Sequence, residues 1–97
     1  MRFLFLSNSN SSSVEGLCLY HLPTCLFCWR VRLAMWRMGI SLPMKNLLLD
    51  SSAQRELVEK GGMMQVPCLR IEEAGSERWL YESGDIINYL KKRFVNG

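Results

Sequence analysis

The sequence predicts an α/β domain in the order β-α-β-α-β-β-α, with a four-stranded mixed sheet flanked by helices. Three observations carry this. Short apolar runs or alternating stretches bounded by turn residues mark strands at 17–20, 44–50, 66–71 and 78–81. Apolar residues at steps of three and four mark helices over 26–38, 51–60 and from 83 onward. Glycine and serine punctuation at Gly39, Gly61-Gly62 and Glu73-Ala74-Gly75-Ser76 separates these elements. A strand-helix-strand unit requires parallel pairing through a right-handed crossover, and the closing hairpin must be antiparallel. The sheet is therefore mixed.

Each element has its own signature. Leu17-Cys18-Leu19-Tyr20 is an apolar run of strand length. In the first helix Phe27, Val31, Ala34, Met35 and Met38 recur on one side, with Gly39 as its stop. Met44 to Asp50, ending in Leu47-Leu48-Leu49, reads as the second strand, with a helical assignment of the leucines as the alternative. Ser51 with Gln54 has capping-box spacing and opens a helix running to Lys60, closed by Gly61-Gly62. Ser83 is expected to cap the last helix, which carries Asp85 in its first turn and Ile86, Ile87, Leu90 and Phe94 along one face.

Composition narrows the function classes. A 97-residue chain makes one small domain, and 48% apolar with 22% charged residues is ordinary for a soluble globular protein. Net charge +3, with the basic residues scattered, gives no support for nucleic-acid binding. Four cysteines within clear strand and helix periodicity fit a reducing compartment, so a cytoplasmic location is expected. The apolar start, Phe3 to Leu6, stops at a Ser/Asn tract, too short for a signal peptide's apolar region or a membrane span. Residues 1–16 are expected to be a disordered extension and 17–97 the folded domain.

The chemistry concentrates where the first strand meets the first helix. Tyr20-His21-Leu22-Pro23-Thr24 turns into Cys25-x-x-Cys28, so the two thiols open a helix. Unpaired N–H groups and the positive end of the helix dipole favour a thiolate there. Cys25, at the start, is the expected nucleophile and Cys28, further in, its resolving partner. Zinc binding by Cys18, His21, Cys25 and Cys28 is an alternative, opposed by the apolar strand setting of Cys18 and the lack of a glycine-rich knuckle. Cys18 and Cys68 are read as small buried hydrophobes, with Cys68 nearer the expected site, and His21 as structural.

Four motifs in order, Tyr20 to Thr24, Cys25-x-x-Cys28, Gln65-Val66-Pro67 and Glu82-Ser83-Gly84-Asp85, resemble the glutaredoxins. More broadly, they resemble the thioredoxin-like domain that begins glutathione transferases. The resemblance runs from Leu17 to Phe94. It implies a cis Pro67 facing the cysteine pair, Val66 offering backbone groups to the cysteinyl part of glutathione, and Ser83 and Asp85 binding its α-amino and α-carboxylate end. It also implies a glutathione-dependent thiol–disulfide oxidoreductase acting on disulfides or glutathionylated proteins. Cys25 would become glutathionylated and then be released by a second glutathione or by Cys28.

Departures from the family pattern shape the alternatives. Leu26-Phe27 stands where many glutaredoxins have Pro-Tyr, and Leu22 where a lysine is often found. Arg37 and Arg70 remain as available cations. Since cluster-binding glutaredoxins tend to lack that proline, a glutathione-ligated iron–sulfur cluster is one alternative; otherwise no metal is expected. The other alternative is a non-catalytic, transferase-like module. At this length no second helical domain is expected, and transfer to electrophiles is not expected of this chain alone. No nucleic acid or membrane partner is expected, and the chain is expected to be monomeric.

Overall fold

A computed structural model describes residues 15–95. Residues 1–14, most of the expected extension and including Phe3 to Leu6, lie outside the described residues. The described chain runs β1 (Leu17–His21), α1 (Leu26–Met38), β2 (Met44–Asn46), α2 (Ser51–Glu56), β3 (Cys68–Glu73), β4 (Ser76–Leu80) and α3 (Ser83–Phe94). The sheet order is β2-β1-β3-β4. β1 pairs parallel with β2 and antiparallel with β3, and β3 pairs antiparallel with β4. This is the predicted order and the predicted mixed sheet.

Alternation along the central strands sorts the core into two layers. Leu17 and Leu19 of β1, with Leu69 and Ile71 of β3, meet Val31 and Met35 of α1 and Ile86 and Leu90 of α3. Cys18, Tyr20 and Cys68 face the other way and pack on Leu47, Ala53 and Leu57. So α1 and α3 share one face of the sheet and α2 covers the opposite one.

Several boundaries differ from the sequence reading, each for a local reason. β2 ends at Asn46, and the leucine run forms a turn, neither strand nor helix. The Asn46 side chain accepts the Leu48 N–H at 2.9 Å, and only Leu47 is buried, while Leu49 is 82% exposed. Asp50, not Ser51, caps α2, accepting from the Ala53 N–H at 3.0 Å. Beyond Glu56 the helix widens into a π-helical stretch, Leu57–Gly61, that ends at left-handed Gly62. Gly61 lies so close to Tyr81 and Trp79 that a Cβ there would collide with the tyrosine hydroxyl. β3 starts two residues later than expected, after the Val66–Pro67 segment, and the β3–β4 hairpin turns on Ala74-Gly75, both at positive φ.

The described N-terminus is fastened to the fold. Gly16, at φ +83°, accepts the Glu72 N–H at 2.8 Å, and the Glu15 carbonyl accepts from Arg93 at 3.2 Å.

Candidate functional site

β1 ends beside the entrance of α1, and the intervening turn is closed by the Cys25 N–H donating to the Leu22 carbonyl at 3.2 Å. Cys25 is the N-cap of α1, in extended conformation, and its carbonyl accepts the Trp29 N–H. The Trp29 indole N–H reaches back to the Pro23 carbonyl at 2.6 Å, tying the turn to the first turn of the helix. The Arg32 guanidinium lies 4.1 Å from the centre of a Trp29 ring.

Cys25 makes no cap hydrogen bond of its own. Its thiol instead donates to the Val66 carbonyl at 3.7 Å. The Val66–Pro67 peptide is cis, and this contact sets the segment leading into β3 against the start of α1. Cys28 is in a different situation. It is fully buried, and burial pushes its thiol up to about 11, with Cys25 beside it adding to the rise and a Leu22 backbone hydrogen bond opposing it.

Across from these residues, α3 begins with Glu82 as N-cap. Ser83, expected to be the cap, is instead the first helical residue and makes no cap bond; its buried hydroxyl accepts from Arg30 at 3.3 Å. The first intrahelical bond is Ile86 N–H to Glu82, so the N–H groups of Ser83, Gly84 and Asp85 have no partner within the helix. Asp85 is exposed. A cleft of about 410 Å³ opens between α1, contributing Phe27 and Arg30, the Gln65–Pro67 segment, and the Tyr81–Asp85 entrance of α3.

Val66, Pro67, Ser83 and Asp85 thus line one cleft, and Cys25 touches its wall through Val66, while Cys28 lies beneath the surface. Arg30, Gln65, Glu82 and Tyr81 share that cleft without having been singled out from the sequence as site residues. The sequence carries no clear signal for Arg30: the helical period groups Phe27 with Val31 on the apolar side, whereas Phe27 is 57% exposed and lines the cleft. Of the two cations that the sequence offers, Arg37 faces a second groove with Leu33, Met38, Ile87 and Lys91. Arg70 pairs with Glu56 at 3.3 Å on the far side of the sheet.

The other candidates are buried. Burial raises the Cys18 thiol and pushes Cys68 up to about 12, the latter partly offset by a hydrogen bond with Tyr81. His21 is buried with Nδ1 unpartnered, and its imidazole is held below its ordinary value by burial first and Arg32 second. Cys18 belongs to the core layer under α2, and no group of three or more His, Cys, Asp or Glu among the described residues is placed to hold a metal ion. Among the described residues no helix is long and apolar enough to cross a membrane.

The family of the glutathione S-transferase N-terminal domain matches residues 19–96. No curated protein matches the chain. Among solved structures, the maleylacetoacetate isomerase of Anaeromyxobacter dehalogenans 2CP-1, with GSH bound in its active site, is 30% identical at a TM-score of 0.62. That match covers 81% of this chain and 38% of the isomerase. A glutathione S-transferase of Bombyx mori aligns at 24% identity and TM-score 0.65, over 86% of this chain and 38% of its own. The thioredoxin-like protein BC3987 aligns at 17% identity and TM-score 0.62, covering 84% of this chain and 96% of that one, a likeness of fold alone. The chain spans well under half the length of the transferase-type structures it matches.

Proposed function

The chain belongs to the glutathione S-transferase N-terminal domain family, and from that premise we propose that it is a glutathione-dependent thiol–disulfide oxidoreductase whose nucleophile is Cys25. The observation that carries this reading is the contact of the Cys25 thiol with the Val66 carbonyl. It puts a half-exposed thiol at the N-terminus of α1 against the wall of the cleft.

In this reading glutathione lies along the cleft. Its γ-glutamyl carboxylate takes the free N–H groups at the start of α3, with Arg30 as the neighbouring cation, and its ammonium takes Asp85. The cysteinyl portion pairs with the backbone of Val66, which brings its sulfur towards Cys25. Arg30 supplies positive charge that the missing lysine at position 22 does not. The Cys25 thiolate attacks the glutathione sulfur of a mixed disulfide. The new bond joins the two sulfurs, and the leaving thiolate departs with the electron pair and takes a proton from water. A second glutathione thiolate then attacks the glutathione sulfur, forming glutathione disulfide and returning Cys25.

The burial of Cys28 favours a second glutathione over Cys28 for that last step. Burial pushes its thiol up to about 11 and so keeps it protonated near neutrality, where only a thiolate attacks. The test is the rate at which glutathione reduces a small glutathione mixed disulfide. Cys25→Ser is expected to abolish turnover and Cys28→Ser to retain most of it. Equal loss in both variants would restore Cys28 as the resolving thiol, and no turnover by the unmodified protein would overturn the reading.

The family match favours a second reading, a transferase-like module that holds glutathione without exchanging disulfides. Its mark would be saturable glutathione binding, weakened by Asp85→Asn, in a protein without exchange activity.

A further inference from the structure

The two residues between the cysteines are apolar and face outward: Leu26 is 78% exposed and Phe27 57%. They occupy the first turn of α1, where acidic and polar side chains are ordinarily the favourable choice, and this turn holds no acid. The inward side of the same helix is already filled by Cys28, Val31 and Met35. Leu26 and Phe27 therefore contribute nothing to the core. Phe27 lines the cleft, and Leu26 directly follows the nucleophile.

We infer that Leu26 and Phe27 select the departing half of the substrate, giving preference to glutathione mixed disulfides whose other thiol is apolar or aromatic. The inference rests on the thiol-transfer reading above. In disulfide exchange the attacking, central and leaving sulfurs lie in line. With an S–S bond near 2 Å, the leaving sulfur stands about 4 Å from Cys25. Leu26 adjoins Cys25 in the chain and Phe27 lines the cleft, so an apolar leaving group beside the nucleophile covers them as the exchange proceeds. A small hydroxylated leaving group gains no such burial.

The two leaving thiols in the test should have matched acidity, so that intrinsic reactivity does not mimic recognition. Glutathione mixed disulfides of 2-phenylethanethiol and 2-hydroxyethanethiol serve. The quantity read is the ratio of their kcat/KM values. The unmodified protein is expected to favour the phenylethyl substrate by roughly five- to tenfold, the range that partial burial of one apolar group supplies. Leu26→Ser is expected to bring the ratio towards one. Because Leu26 is largely exposed, a thermal melt matching the unmodified protein certifies that variant as folded. Turnover of both substrates without discrimination overturns the inference alone, as does a preference that survives in both Leu26→Ser and Phe27→Ser. Turnover of neither substrate overturns the thiol-transfer reading, and the inference with it.

Discussion

Leu19 and Tyr20 are neighbours on β1, both fully buried, and their side chains leave the sheet in opposite directions into two different interiors. Leu19 enters an apolar layer with Leu69, Ile71, Val31 and Ile86. Tyr20 enters a layer that carries charge. Its hydroxyl donates to Glu56, which also accepts from Lys45 at 2.9 Å and Arg70 at 3.3 Å. The apolar layer holds the two helices whose N-termini frame the cleft, and close packing without polar atoms fixes their spacing at little electrostatic cost. The charged layer holds α2 in one register, because Glu56 at its end has three specific partners. The first layer spaces the two helices at the site, whereas the second, against which Val66 and Tyr81 pack, sets the position of α2 and of the segment after it.

Breaking the apolar layer should have the largest effect. Leu19→Ala is expected to cost about 2–5 kcal/mol, read as a shift in the urea midpoint, because it opens a cavity between β1 and both long helices. On the opposite face, Tyr20→Phe keeps the ring and its packing on Trp79 but removes one donor to a carboxylate, so about 1–3 kcal/mol is expected. If the two losses were equal, the contrast between the layers would fail.

Acid sharpens the comparison further. The Tyr20 hydrogen bond foremost, and then Lys45, hold the Glu56 carboxyl below its ordinary value of 4.5. A depressed folded-state value means that Glu56 contributes its full stability above the ordinary value. That contribution is lost as pH falls through the depressed one. The stability gap between the unmodified protein and Tyr20→Phe should therefore be constant near neutrality and narrow below about pH 4.5. A gap that stayed constant to pH 3 would remove Glu56 as its source.

The smallest effect on stability belongs to the site's own clamp. Trp29→Phe deletes the indole donor to Pro23 at a half-exposed position, and a change of at most about 1 kcal/mol is expected. Its local signature should be clearer. Amide exchange at Cys25, whose N–H is held by Leu22, should quicken while exchange in the β1 and β3 core stays unchanged.

Much of this architecture is legible in the residues. The step of three to four in α1, the glycine at its end and the Ala74-Gly75 turn are local signals, and local backbone preferences carry them through folding. The start of α1 at Leu26 follows from the turn before it. The cap of α2 was misassigned because Asp50 and Ser51 are both good caps; the side chain that reaches the Ala53 N–H is that of Asp50. The leucine run was misread because three equal residues carry no period, and burial selects only Leu47. The π-helical turn has no local signature, since it depends on how closely Gly61 approaches Tyr81 and Trp79.

The sequence by itself determined the element order, the mixed sheet and the cysteine at the mouth of a helix. Each of these rests on the chemistry of residues near one another in the chain. Tertiary structure decided which arginine enters the cleft: Arg30 by meeting Ser83, fifty-three positions away, and not Arg70, which Glu56 draws to the other face. It also decided that Cys28 is sealed on the inner face of α1 while Cys25 meets Val66. Periodicity says which residues share a face, but the element that covers that face is chosen by packing among distant segments.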